Sequence, residues 1–463
     1  MKLLVVAGDI PLASFPRRFL MSTKSTRRQF LGTTAATTAA AWAGGKLYAA
    51  GAAAKPGPNE VINLGLIGCG GEGCAVMAGH MRCPATRVVA VCDLHETRMA
   101  EARQQAGGEK VLTYHDYRKL LENPDIHAVI VGTNDHWHVL VTIDACRAGK
   151  DVYVEKPLGT SIGEGRAAVR AARKYNRIVQ IGTQQRSWPH YIQAAEVIRS
   201  GRLGEISEVK VWDMDYMYPG PGNPPDGDPP KQLDWDFWLG PSPKRPYNPN
   251  RYAQHYWWFD YAGGWQLDWA VHHYDIVNWC MGVTEPISAT ALGGFMCYEE
   301  TNIEWPDTFS GICQYGPGPV AKKGFLLQYT FRGGCRREHR SHAKCFFGTE
   351  ASLIIDRGGY TITPEAGRPG KEETVRNVFT TDTHVESLQA HAQVFLDCIR
   401  SRRRSPSDVE GGHHASNPGH LMNIAWRVGH KIRWDGKKEQ FIGDSEANAL
   451  VTKSYRAPWK LEV

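Results

Sequence analysis

The chain reads as an α/β protein: an N-terminal doubly wound parallel (Rossmann) sheet, then an α+β domain with a large open antiparallel sheet. Three observations carry this expectation. Between Val61 and Asp93 a glycine-rich turn joins two apolar runs, and an acid closes the second. Near-continuous apolar runs then alternate with helix-length segments to about residue 183. After Trp188 the texture changes to runs that alternate polar and apolar residues.

The first element is the apolar run 62–68, followed by Gly68-Cys69-Gly70-Gly71-Glu72-Gly73. This is G-x-G-x-x-G in the frame strand, turn, helix, strand, acid. Gly68 permits the tight turn, Gly70 lets the backbone approach a pyrophosphate, and Gly73 lets the helix pack closely on the strand. The N–H groups that begin helix 72–82 face the phosphates. The strand 87–92 ends at Asp93, 20 positions after Gly73, where a carboxylate takes the ribose hydroxyls. That carboxylate repels a 2′-phosphate, so NAD is expected over NADP.

The same alternation supplies strands at 111–114, 127–132, 151–155 and 178–182, with helices at 95–106, 136–148 and 161–175. These complete a dinucleotide domain over 60–183. Residues 184–463 form a second, α+β domain. It starts with the alternating run 205–212 and a Pro/Gly-rich loop from Pro219 to Pro230. Further strands are expected at 287–296, 308–315, 324–331, 344–355 and 360–363, and helices at 384–400 and 419–430. Between Trp235 and Trp279 stand seven tryptophans, most of them expected in the core, with one or two lining a sugar-sized cleft.

The first 54 residues hold seven bases (Lys2, Arg17, Arg18, Lys24, Arg27, Arg28, Lys46) against Asp9, which accounts for the whole net charge of +6. The rest is neutral, so no nucleic-acid partner is expected. Ser25-Thr26-Arg27-Arg28-Gln29-Phe30-Leu31 is a twin-arginine pattern, with an Ala/Thr stretch and small residues behind it. It predicts export through the twin-arginine translocase, to the periplasm or beyond. A conventional signal of this kind starts at Met21. The segment is too short and too weakly apolar for a stable membrane span. The eleven cysteines are scattered with no C-x-x-C pair, and Cys69, Cys74, Cys92 and Cys146 are expected as core residues.

Three further motifs stand out. Gly132-Thr133-Asn134-Asp135-His136-Trp137-His138 follows the fourth strand, and Glu155-Lys156-Pro157 closes the fifth. Gly263 to Asp275, reading GGWQLDWAVHHYD, opens a helix in the second domain. Lys156 falls at the C-terminal end of a parallel strand, where sites of open α/β sheets form. Asp268 and His272 are four apart and are expected on one helix face. Histidine titrates in the range of a general base near neutral pH. An ammonium stabilises negative charge developing on an oxygen. A metal at Asp-x-x-x-His would need a third and fourth ligand, and none presents itself, so no metal is expected.

With the glycine turn, these motifs in this order resemble the glucose–fructose oxidoreductase / inositol dehydrogenase (Gfo/Idh/MocA) family, over residues 60 to the C-terminus. The resemblance implies catalysis by Lys156, Asp268 and His272, with Asp268 orienting either the lysine or the imidazole. It places Thr133, His138, Glu155 and Lys156 around the cofactor and Arg186 near the substrate. His273 is placed near the substrate as well, and is a minor rival for the base. It also implies a homo-oligomer through the C-terminal sheet. Ala270 replaces the usual glycine, and Thr133-Asn134 replaces Thr-Pro. The reading is an exported oxidoreductase with tightly held NAD, acting on a secondary hydroxyl of a carbohydrate. A redox-neutral, NAD-dependent glycosidase on the same fold is the alternative, and a non-catalytic sugar-binding protein a third.

Overall fold

A computed structural model describes residues 61–336, 340–379 and 383–463. The twin-arginine segment lies outside them. The first sheet has six strands in the order β3-β2-β1-β4-β5-β6 and is parallel throughout. They are β1 (Ile62–Ile67), β2 (Thr86–Cys92), β3 (Leu112–Tyr114), β4 (Ala128–Val131), β5 (Asp151–Val154) and β6 (Val179–Ile181). Between them run α1 (Gly71–Met81), α2 (Glu96–Ala106), α3 (Tyr117–Leu121), α4 (Asp135–Arg147) and α5 (Ile162–Lys174). The strands β4, β5 and β6 are buried at every position, as helices on both faces require. Strand order reverses between β1 and β4, so a crevice opens at their C-terminal ends.

The chain continues through α6 (Pro189–Arg199) into β7 (Ile206–Met214), the central strand of a second sheet. Then come α7 (Trp265–Asp268), α8 (Val271–Met281), β8 (Ser288–Gly294), β9 (Thr308–Tyr315), β10 (Phe325–Arg332), β11 (His342–Gly348), β12 (Ala351–Asp356), β13 (Gly359–Pro364) and β14 (Glu373–Arg376). After α9 (Thr383–Ser401) and α10 (Val409–Val428), short β15 (Ile432–Asp435) and β16 (Gln440–Phe441) complete ten strands. The order is β14-β13-β12-β11-β7-β10-β9-β8-β15-β16. The sheet departs from a purely antiparallel one at its centre, where β7 and β10 run parallel.

Other details also differ from the sequence reading. The run 344–355 is a hairpin of β11 and β12: at its turn the Thr349 N–H donates to the Glu205 carbonyl and the Glu350 N–H to that of Leu203. Helix α10 starts at Val409, ten residues before the expected 419. Asp408 caps it by accepting from the Glu410 N–H, but 411–417 (GGHHASN) has no apolar period to announce a helix. Helix α9 packs into the first domain's core through Leu388, Ala392, Phe395 and Leu396. A Cβ on Gly79 of α1 would lie 2.9 Å from that of Leu388, so glycine permits this approach. Cys74 is only partly buried, whereas Cys69, Cys92 and Cys146 are buried, and no described cysteine is in a disulfide.

One face of the large sheet is core: Phe309, Cys313, Leu327, Tyr329 and Phe331 point inward against α8 and α10. The other face exposes Leu292, Ile312, Leu326 and Phe347. Trp235, Trp238, Trp257 and Trp258 are core, while Trp265, Trp269 and Trp279 are half-buried. No helix among the described residues is long and apolar enough to cross a membrane.

Candidate active site

The glycine turn builds one wall of a cleft. Gly68 has φ +91°, and a Cβ on Gly73 would lie 2.1 Å from the Gly68 carbonyl oxygen. Helix α1 therefore meets β1 closely only without a side chain at Gly73. A Cβ on Gly70 would meet nothing within 4 Å, so this residue faces open space. A cavity of about 240 Å³ lies in front of it, lined by Gly68, Gly70, Asp93, Gly132 and Thr133. From the second domain Leu233, Trp238, Tyr252 and His255 close it; Trp238 is one of the tryptophans of the 235–279 stretch, whereas Tyr252 and His255 stand in no motif.

Asp93 accepts from the Cys69 N–H at 2.6 Å and the His95 N–H at 2.7 Å. Its carboxylate thus fixes the turn, and each oxygen keeps a second lone pair for a ribose hydroxyl. Bare backbone at the start of α1 with a carboxylate beside it fits a dinucleotide without a 2′-phosphate.

The segment after β4 ties the two domains together. Asn134 Nδ2 lies 2.8 Å from His255 Nδ1, and His255 Nε2 lies 3.3 Å from Asp135 Oδ1. Asp135 is buried, which would raise its pKa, but His255, His138 and Lys156 hold it below the ordinary value. His138 bridges the two site turns, Nδ1 lying 2.9 Å from the Pro157 carbonyl and Nε2 3.0 Å from that of Thr133. Burial depresses its pKa, and a neutral ring donates to one carbonyl at a time.

Lys156 is the second residue after β5. Its ammonium donates to the Asp268 carbonyl at 3.0 Å and to the Asp268 carboxylate at 3.2 Å. Burial works against the charge, but Asp268, Glu155, Asp135 and Glu72 outweigh it and raise the pKa. Lys156 is therefore a cation at neutral pH. Glu155 is buried, accepts from the Lys156 N–H at 3.2 Å, and is pushed up to about 8 by burial and by Glu72.

Asp268 and His272 do not share one helix face, as their spacing suggested. Helix α7 ends at Asp268 and α8 begins at Val271. The His272 N–H donates to the Trp269 carbonyl at 3.2 Å, one residue short of an α-helical bond. The Asp268 carbonyl is thereby released, and Lys156 takes it. Asp268 orients the lysine. It is itself pushed up by burial, against the pull of Lys156.

His272 is 4% exposed, and its Nδ1 is buried with no partner among the described residues. Burial, then the charges of Lys156 and Arg357, hold its pKa well below the ordinary value. The ring is neutral and able to accept a proton. The Trp269 ring lies edge-on to it at 5.7 Å, and the Arg357 guanidinium covers the same indole at 4.8 Å. Arg357, distant in sequence and outside any motif, is a site residue the sequence did not disclose.

The structure does not bring His273 and Arg186 into this group. His273 Nε2 lies 2.8 Å from Asp213 Oδ1 on β7, deep against the sheet, where burial pushes Asp213 up to about 7. Arg186 Nε donates to both oxygens of Asp275, at 2.9 and 2.7 Å, and Nη1 to the Pro406 carbonyl. It braces α8 one turn beyond His272. Glu285, His413 and His414 also converge, but as a hydrogen-bonded network. His414 and Asn417 engage Glu285 Oε1, Trp434 donates to Oε2, and His413 is held by Glu439.

Comparison with known proteins identifies the family of the fold. Residues 62–183 match the Gfo/Idh/MocA model described as "Oxidoreductase family, NAD-binding Rossmann fold". Residues 193–291 and 371–461 match that family's C-terminal alpha/beta domain. The chain is 36% identical over 164 residues to inositol 2-dehydrogenase 2 of Saccharopolyspora erythraea, covering 34% of this chain and 47% of that protein. It is 27% identical over 199 residues to scyllo-inositol 2-dehydrogenase (NAD(+)) of Bacillus subtilis, 43% of this chain and 47% of that one. The chain thus spans about half the length of these curated relatives. Among solved structures, a levoglucosan dehydrogenase in complex with NADH and levoglucosan superposes with a TM-score of 0.62 at 19% identity, over 80% of this chain and 99% of that one. The motifs, the two sheets and both family models agree: the chain belongs to the Gfo/Idh/MocA oxidoreductase family and carries its NAD-binding Rossmann fold.

Proposed function

We propose that this protein is an exported NAD-dependent oxidoreductase that removes hydride from a secondary hydroxyl of a sugar or inositol-like polyol. The observation that carries the reading is the pair of hydrogen bonds from the Lys156 ammonium to Asp268, with the buried His272 within reach of the lysine's charge. In this mechanism His272 accepts the hydroxyl proton. The Lys156 ammonium stabilises negative charge on that oxygen, where a preorganised cation acts most strongly. Asp268 holds Lys156 in place, and Asp93 and the glycine turn hold the dinucleotide. Bound NAD supplies the hydride acceptor.

Export rests on Arg27-Arg28 and the stretch after it. Outside the cytoplasm there is no NAD pool for exchange, which favours a cofactor loaded before export and kept through turnover. A homo-oligomer is supported by the exposed Leu292, Ile312, Leu326 and Phe347 on one sheet face.

The test is product analysis with purified protein, no added cofactor, and a panel of polyols and glycosides. A ketone product with reduced bound cofactor is expected from at least one polyol. Free sugar released over many turnovers without net reduction would instead establish the redox-neutral glycosidase. No reaction with any member of the panel would overturn both readings.

A further inference from the structure

A second cavity, of about 260 Å³, lies apart from the cofactor cleft. Neither Lys156, Asp268 nor His272 lines it. Its walls come from α10, the residues just after the Lys156-Pro157 turn, the loop before α7, and the segment 450–454. Its size lies just below the range of small-molecule pockets, about 300 Å³ and upward, which suits a single sugar ring.

The lining is built for a polar guest. His420 and Asn423 are 5% and 4% exposed, yet His420 Nε2 and Asn423 Oδ1 have no partner among the described residues. Buried polar atoms are rarely left so, because each costs about 1–3 kcal/mol. Asn423 Nδ2 is committed to the Gly263 carbonyl at 2.6 Å, so its oxygen is oriented as an acceptor for a hydroxyl. Thr160, Ser242 and Ser454 add hydroxyls, and Trp305 adds an aromatic surface.

The charge is also one-sided. Arg427 lies over the Phe259 ring at 5.0 Å, and Lys453 donates to the Asp260 carbonyl at 3.1 Å. Neither forms an ion pair among the described residues. Glu304 offsets Arg427 in part, but its carboxylate accepts from the Phe259 N–H at 2.8 Å. Asp260, the one carboxylate in the described lining, is held by Arg245 at 2.8 Å. Two cations therefore line the cavity with no ion pair of their own, Arg427 being offset only in part by Glu304.

We propose that this cavity is a second binding site, for a monosaccharide-sized polyol bearing one anionic group, carboxylate or phosphate. Arg427 and Lys453 take the anionic group, Asn423 Oδ1 and His420 Nε2 take hydroxyls, and Trp305 packs on the ring. The site touches both segments that present the catalytic pair. Thr160 and Ser161 follow Lys156-Pro157, and Gly263, bonded to Asn423, leads into the helix that ends at Asp268. The proposal stands whether or not the oxidoreductase reading holds.

Calorimetry on the full protein, as purified, tests it with glucuronate, glucose 6-phosphate, glucose and inorganic phosphate. At least one anionic sugar is expected to bind at one site per chain, and which one it is tells carboxylate from phosphate. Glucose and phosphate alone should each bind at least about tenfold more weakly, the scale of a lost charge-assisted hydrogen bond. Arg427→Gln should weaken the anionic sugar by at least about tenfold. Lys453→Met repeats the test should that variant fold poorly, and Ser454→Phe should block the cavity. Lys156→Met should leave this binding unchanged, which separates it from binding at the catalytic cleft. The proposal is overturned if neither anionic sugar binds, if glucose or phosphate binds as tightly, or if Lys156→Met abolishes binding while the cavity variants do not.

Discussion

Lys156 hydrogen-bonds Asp268 twice, at the main-chain carbonyl (3.0 Å) and at the carboxylate (3.2 Å). The first bond exists because the helix breaks after Asp268 and frees its carbonyl. A neutral carbonyl and a carboxylate together fix the ammonium in position and keep it charged. One residue of the second domain thus sets the place of the cation that closes the first domain's fifth strand.

Lys156→Met should lower turnover by at least about a hundredfold, the scale of losing a preorganised electrostatic group. NAD content should stay near wild type, because the glycine turn and Asp93 hold the dinucleotide. Asp268→Asn keeps the carbonyl bond but loses the charge, so its loss should be smaller. Steady-state rates with cofactor quantified after denaturation check both. Wild-type turnover in Lys156→Met would remove the lysine from the chemistry.

Two glycines of one motif should fail differently. Gly73→Ala puts a Cβ 2.1 Å from the Gly68 carbonyl and should lower Tm even without NAD. Gly70→Ala meets no protein atom within 4 Å, so Tm of the NAD-free protein should hold while NAD affinity falls. Thermal melts with and without NAD distinguish the two. Equal loss of Tm in both variants would mean that Gly70 does not face the dinucleotide.

Much of this was legible in the sequence because it is local. The glycine turn, Asp93 and the apolar runs of the first sheet follow from spacing and period alone. What was not legible depends on partners far away in the chain. His255 meets Asp135 over 120 positions, and no motif marks it. Arg186 looked like a substrate arginine until Asp275 took its guanidinium. The break between Asp268 and His272 was invisible because Trp269 and Ala270 are ordinary helix residues. The central parallel pair of the large sheet joins strands more than a hundred residues apart.

Stability should fall as pH drops from about 6.5 toward 4. Burial lowers His80, His190, His342 and His391 from 6.5 to about 4, and His136 and His420 to about 3. Below 6.5 the unfolded chain takes up protons that the native state refuses, so unfolding is favoured. Glu155, at about 8, and Asp213, at about 7, act in the opposite sense, since the native state keeps protons that the unfolded chain releases. The six histidines, joined by His138, His272, His273 and His413, outnumber Glu155, Asp213, Asp268 and Glu304 and set the sign. A Tm that is flat or rising from pH 6.5 to 4.5 would contradict this balance.

Export should depend on the arginine pair. Replacing Arg27 and Arg28 by lysine should leave the folded protein, with its cofactor, in the cytoplasm. Fractionation followed by immunodetection reads this directly. Unchanged export would mean that the signal is recognised through other residues.

The most direct test of the central claim follows hydride itself. A polyol that reacts in the product analysis is deuterated at its carbinol carbon and mixed with purified protein, with no cofactor added. The cofactor is then released by denaturation and its mass measured. Wild-type protein should carry deuterium on the released cofactor within one turnover. His272→Ala should show transfer slowed by about a hundredfold or more, the scale of losing a general base. Absence of deuterium in the wild type, or transfer at the wild-type rate in His272→Ala, would contradict the assignment of Lys156 and His272 as the oxidoreductase pair.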